Sequence, residues 1–236
     1  MLTAYAALEE VSYLGERLEE LRRGSRTLAE LGLGEAMSRA VQRALREVGH
    51  GLDIGIALSS PIATVLAYGT VRGMSFGDAL NIVKRALVLS KPEDAVHLVK
   101  VLRLLGGEYA WFLEQCDLSE RSVEVSGLSL RNVLERLSSV SKLFKPFVDL
   151  DRVLEVASFI KKDLDRGEGL NFAIVRSFLA LAKSMEGLEV EIPQKFSSSI
   201  VLNLLRLDGE LRKKGVDLRY LVPYLVLGLV EIVTRV

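Results

Sequence analysis

Apolar residues return every three or four positions along most of this chain, which is the period of a helix with one buried face. Between residues 3 and 23 they fall at Leu8, Val11, Leu14, Leu18 and Leu21, with Glu and Arg between them. Gly24 and Ser25 break the run. The pattern returns over 35–48 at Met37, Val41 and Leu45, and ends at Gly49-His50-Gly51. From Asp53 to Gly73 the chain is apolar on every side, which predicts a helix at a bundle centre. Pro61 lies inside that run and should kink or restart the helix. Ser75, with Asp78 three residues on, is a capping signature for a helix reaching about Leu89. Lys91-Pro92-Glu93-Asp94 starts another, with Pro in its first turn, that ends at Gly106-Gly107. A short helix over 108–116 follows, and 117–128 reads as an exposed connection. Further helices are predicted at about 129–143, 149–165, 169–184, 194–214 and 217–234, with Asp149 and Asp217 as N-caps.

Strand signals are poor. Only Leu188-Glu189-Val190-Glu191-Ile192 alternates, and no hairpin turn flanks it. About ten helices on short links predict one all-α multi-helix bundle over residues 1–236. No fixed-period repeat points to a solenoid.

Composition narrows the class. The chain has 236 residues, 49% hydrophobic and 26% charged, which excludes a disordered chain. Lys+Arg and Asp+Glu are both 31, so no bulk charge is available to hold nucleic acid. The N-terminus meets Glu9 and Glu10 after a short apolar stretch, which is no secretory signal. One cysteine, Cys116, cannot form an internal disulfide. These features predict a cytoplasmic protein. The excess of Arg over Lys would suit a thermophile. Two stretches approach membrane hydrophobicity, Leu52 to Val71 and Leu218 to Val233. The first is diluted by Ser59, Ser60, Pro61 and glycines, and the second is short and holds Arg219 and Glu231. Both read as buried helices, not bilayer spans. The apolar content of the second also fits a homodimer.

Candidate chemistry is sparse. Two histidines, His50 and His97, and one cysteine lack the spacing of a structural zinc site. Cys116 has no partner pattern for nucleophilic catalysis and reads as an inert thiol. No Walker A or Gly-x-Gly-x-x-Gly loop occurs. Gly32-Leu33-Gly34 and Gly49-His50-Gly51 each precede a helix, where free backbone N–H groups would meet an anion or simply complete a turn. Glu93 and Asp94 sit where acids complement a helix dipole. Asp53 opens the most apolar helix, either as its cap or as a magnesium or phosphate-side acid.

Several blocks, taken in order, resemble the triphosphoribosyl-dephospho-CoA synthase family in its archaeal branch. They are Ala7-Leu-Glu-Glu-Val-Ser-Tyr13; Gly34-Glu-Ala-Met-Ser-Arg-Ala-Val41 followed by Asp53-Ile-Gly-Ile-Ala-Leu-Ser-Ser-Pro-Ile62; Pro92-Glu-Asp-Ala95 with Arg103-Leu-Leu-Gly-Gly107; and Leu207-Asp-Gly-Glu-Leu-Arg212. The resemblance implies an all-α enzyme fold that joins ATP and dephospho-CoA and releases adenine. The departures are as informative. The family's Pro-Gly-Asn-type loop is absent near Leu14-Gly-Glu-Arg17. Of its Asn-Thr-x-x-Gly segment only Gly55 matches. Its late Asp-Thr pair is missing near Gly187-Leu188, and Val216-Asp-Leu-Arg219 replaces Asn-Pro-Gly-Thr. Loss of several phosphate-handling groups should remove most activity.

Three readings follow. The first is a diverged, non-catalytic relative that binds a nucleotide or CoA-type ligand weakly or serves an assembly. The second is an active transferase on ATP and a dephospho-CoA-like substrate, using Mg²⁺. In that case Asp53, Glu93 and Asp94 would be its acids, Arg85 and Arg103 its phosphate-side cations, and Gly55 part of its cofactor site. The third is a helical structural or oligomerisation module.

Overall fold

Glycine and proline punctuation sets the helix boundaries. In the computed structural model, which describes residues 3–4, 7–8, 11–195 and 198–234, the breaks predicted at Gly24, Gly49 and Gly106 fall at or beside helix ends. Glu9, Glu10 and the side chains of His50 and Arg212 lie outside the described residues. The helices are α1 (Leu14–Arg22), α2 (Leu33–Val48), α3 (Ile54–Val71), α4 (Phe76–Leu89), α5 (Pro92–Leu105) and α6 (Gly107–Gln115). They continue as α7 (Glu120–Val125), α8 (Leu130–Val140), α9 (Asp151–Asp165), α10 (Leu170–Glu186), α11 (Ser198–Lys213) and α12 (Val222–Val233). No strand occurs among the described residues, so the fold is an all-α multi-helix bundle. The alternating segment 188–192 is irregular chain, with Val190 buried.

Local caps do what their spacing predicts. Ser75 Oγ accepts the Asp78 backbone N–H at 3.0 Å and so opens α4. Pro92 begins α5, and Gly106 ends it with φ +66°. Three expectations change. The 117–128 stretch contains α7, nucleated by a reciprocal Ser119–Ser122 capping box. Pro61 does not restart its helix, because α3 runs through it as one element. Neither Asp149 nor Asp217 caps its helix, the N-caps of α9 and α12 being Leu150 and Leu221. Asp149 closes the preceding turn, Lys145–Val148, and its carboxylate pairs with Arg152 at 3.5 Å, while Asp217 accepts the Arg219 N–H ahead of α12.

The apolar helix α3 is the core element. It packs against α1, α2, α4 and α12. By length and composition it is the one helix among the described residues that could cross a membrane, but 67% of it is buried within the chain. Small residues bring its neighbours close. A Cβ at Gly69 would stand 2.8 Å from Ala79 Cβ of α4, and one at Gly55 would stand 2.9 Å from Pro223 Cγ of α12. Helix α12 also packs on α9, where Gly228 leaves room for Val156 and Ala157. Pro223, Tyr224, Leu225, Leu227, Gly228 and Val230 of α12 are therefore buried inside the chain.

Candidate functional site

The acids singled out from the sequence do not meet. Asp53 is the N-cap of α3, its Oδ1 accepting the Ile56 N–H at 3.1 Å. Asp94 is buried in the first turn of α5, and it caps a different helix. Its Oδ2 accepts the Gly34 N–H at 3.0 Å, and its Oδ1 the Glu35 N–H at 2.8 Å. Burial pushes the Asp94 carboxyl above its ordinary value, against the downward pull of those two amides. Asp94 thus sits at the N-terminus of α2, while Asp53 lies just beyond its C-terminus. Sixteen helical residues separate the two by about 24 Å of axis. No single metal ion spans that distance.

The other candidates are equally scattered. Glu93 is exposed on α5 and Arg85 is exposed on α4. Arg103 is exposed and faces Glu120 at 3.5 Å. Gly55 serves the close approach of Pro223, a packing role. After the Gly32-Leu33-Gly34 turn, the N–H groups of Gly34 and Glu35 are taken by the chain's own Asp94 carboxylate. Gly49–Gly51 is a single 3-10 turn, and the helix after it is capped by Asp53. Cys116 is half-buried, its Sγ 3.1 Å from the Arg136 carbonyl, and burial pushes the thiol up. His97 is exposed.

Three of the resembling blocks do converge, around the start of α2. The Arg17 and Arg39 guanidinium groups lie 4.6 and 4.8 Å from the centroid of the Tyr13 ring. Glu35 pairs with both arginines at 2.8 Å. Every charge in this cluster has its partner within it, so it ties α1, α2 and α5 together.

A cavity opens at the other end of α2. Its volume is about 440 Å³. The start of α3 supplies Leu52, Asp53 and Ile54, and α6 supplies Glu108, Tyr109 and Phe112. The positive φ angles of Gly106 and Gly107 turn the chain between α5 and α6 and so bring α6 to this wall. The 3-10 turn after α8 adds Lys142, the last residue of α10 adds Glu186, and the link before α12 adds Asp217, Arg219 and Tyr220. Sequence reasoning missed this set because it is drawn from five separate segments. The one local signal was Asp217-Leu218-Arg219, where the Asp217 carboxylate accepts the Arg219 N–H at 2.9 Å in an Asx turn.

The charges in the cavity are largely committed. Lys142 Nζ lies 2.7 Å from both Glu186 oxygens, and the Tyr220 hydroxyl donates to the same carboxylate. Burial by itself raises Glu186, but Lys142 and Tyr220 outweigh it and hold the carboxyl below its ordinary value. Arg219 holds Asp217 with Nε and Nη2, at 2.9 and 2.6 Å from Oδ2, and lowers its carboxyl too. Burial, followed by the Glu108 charge, pushes Tyr109 up to about 12. No group shown to be shifted here is brought near neutrality for proton transfer. Four acids face two bases, leaving the lining two charges negative. Among the described residues no group of three or more His, Cys, Asp or Glu side chains could hold a metal ion.

A larger, mostly apolar cleft of about 890 Å³ lies on the other side of the 215–219 link, between α10, α11 and the start of α12. No protein-family model matches this chain, and neither a curated protein nor a solved structure matches it.

Proposed function

We propose that this chain is a non-catalytic helical binding protein, a diverged relative of the triphosphoribosyl-dephospho-CoA synthase family, that works through the cavity beside Asp53. The observation that carries this reading is the separation of Asp53 and Asp94, each committed to a helix cap at opposite ends of α2. Transfer from ATP requires cations and a metal to converge on the phosphates. Here Arg85 and Arg103 are not part of the cavity wall, and the two cations that are, Lys142 and Arg219, are each paired with a carboxylate. A net negative lining repels a triphosphate. A single cysteine and a closed helical core suit a cytoplasmic protein.

Thermal-shift titration tests this. ATP–Mg²⁺, dephospho-CoA and CoA should leave the unfolding temperature unchanged for the wild type and for Asp53→Ala alike. A ligand at 100 times its dissociation constant would add about 2.7 kcal/mol, which is readily seen. A shift with ATP–Mg²⁺ that disappears in Asp53→Ala would overturn the reading.

A further inference from the structure

The polar cavity and the apolar cleft have four lining residues in common, Gly215, Val216, Asp217 and Arg219. These belong to one short link, in which Gly215, Asp217 and Arg219 are exposed and Val216 is half-buried. Both spaces therefore open at the surface on either side of the same strip of chain. On one side, Glu186 and Asp217 are ion-paired with Lys142 and Arg219, whereas Asp53 and Glu108 make no ion pair among the described residues, although the Arg219 charge still reaches Asp53. On the other side, Phe178, Leu204, Leu207 and Leu211 present an apolar wall. The cleft has about twice the volume of the polar cavity. Helix α11 lays Leu204 and Leu207 half-buried over it.

We infer that the two spaces form one site for an amphipathic cation. A protonated amine head lies against Asp53 and Glu108, and an alkyl chain crosses Val216 into the cleft between α10 and α11. This deepens the binding reading above and rests on it. The charge argument selects the head: four carboxylates against two cations leave the lining net negative, which favours a cation and disfavours a carboxylate or phosphate. The apolar wall selects the tail, because each buried methylene tightens binding by about three- to fourfold.

The test is a calorimetric titration of the full chain with decylamine, hexylamine and decanoate below their micellar concentrations, at neutral pH. Trp111 is the sole tryptophan, and its ring stands edge-on to Phe112 of the cavity wall with centroids 5.7 Å apart, so its fluorescence gives a second readout. Decylamine should bind at least about tenfold tighter than either hexylamine or decanoate. Asp53→Asn with Glu108→Gln should abolish the preference for amine over carboxylate, because Asn still caps α3. Leu204→Gln with Leu207→Gln should abolish the preference for the longer chain, and both positions are open enough to take a polar side chain without unfolding. Decanoate binding as tightly as decylamine, equal binding of the two amines, or no binding of decylamine would each overturn the inference. ATP–Mg²⁺ run in the same instrument separates the two levels. Its binding would overturn the underlying reading, whereas failure of decylamine alone removes only the amphipathic site.

Discussion

The carboxylate of Asp94 accepts the backbone N–H groups of Gly34 and Glu35, sixty and fifty-nine residues earlier in the chain. One helix thereby caps the N-terminus of another, and two donors that would otherwise be orphaned in a buried place are satisfied. The contact is close enough that a Cβ on Gly34 would stand 2.1 Å from the Asp94 carbonyl oxygen. Asp94→Ala should therefore cost about 2–3 kcal/mol, the loss of a cap plus the stranding of buried N–H groups. Gly34→Ala should cost about 1–3 kcal/mol by forcing α2 off α5. Asp94→Asn, which keeps one acceptor, should cost less than Asp94→Ala. Urea unfolding of the three variants measures this; a neutral Asp94→Ala would show that the cap contributes nothing.

A buried ion pair fastens α9 to α10. Arg176 Nη1 lies 2.9 Å from Asp163 Oδ1, with both side chains almost wholly buried. The guanidinium sits between the Phe159 and Phe172 rings at 5.7 and 5.8 Å. Removing Arg176 leaves the buried Asp163 carboxylate with only the exposed Arg166 guanidinium, 3.8 Å away. Arg176→Ala should cost about 3–5 kcal/mol, and Arg176→Met with Asp163→Leu much less. If chemical denaturation finds the single and double variants equally unstable, the pair is not what sets the cost.

Acid should weaken the fold partly through Glu186. Its carboxyl is held below its ordinary value of 4.5 in the folded chain by Lys142 and Tyr220, against the effect of burial. A carboxyl depressed on folding contributes stability above its unfolded value and loses it as pH falls through the folded one. The wild type should lose stability as pH drops below about 4.5, and Glu186→Gln should lose less over the same window. Parallel pH–stability curves for the two proteins would count against this role.

The α9–α12 contact depends on the missing side chain of Gly228. A Cβ there would come within 2.8 Å of Val156 Cγ1 and 3.2 Å of the Ala157 nitrogen. Gly228→Val should destabilise by about 1–3 kcal/mol, read as a lower unfolding temperature. Gly209→Val, with open space at its Cβ position, is the control and should change little by overpacking.

What was legible in the sequence is what is local. Ser75 and Asp78 are three residues apart and form their cap as the spacing requires. Pro92 and Gly106 mark the two ends of α5 for reasons of φ and a missing N–H that need no tertiary contact. Helix α7 was hidden because six residues are too few to show a period, although Ser119 and Ser122 carried its start signal. The role of Asp94 was not legible, because an acid in a first turn reads as a partner of its own helix dipole, and its real partners come from α2. The cavity was less legible still. Lys142, Glu186 and Tyr220 converge only after α8, α10 and α12 have packed, so no spacing along the chain announces them.

The central claim is that this scaffold binds without carrying out phosphoribosyl transfer chemistry. Its most direct test is adenine release from ATP–Mg²⁺ in the presence of dephospho-CoA, followed by chromatography on freshly purified full-length protein. The account predicts no adenine above the protein-free control, at any pH from 6 to 9. Adenine formed in proportion to protein, and abolished by Asp53→Ala in a variant that remains folded, would contradict it.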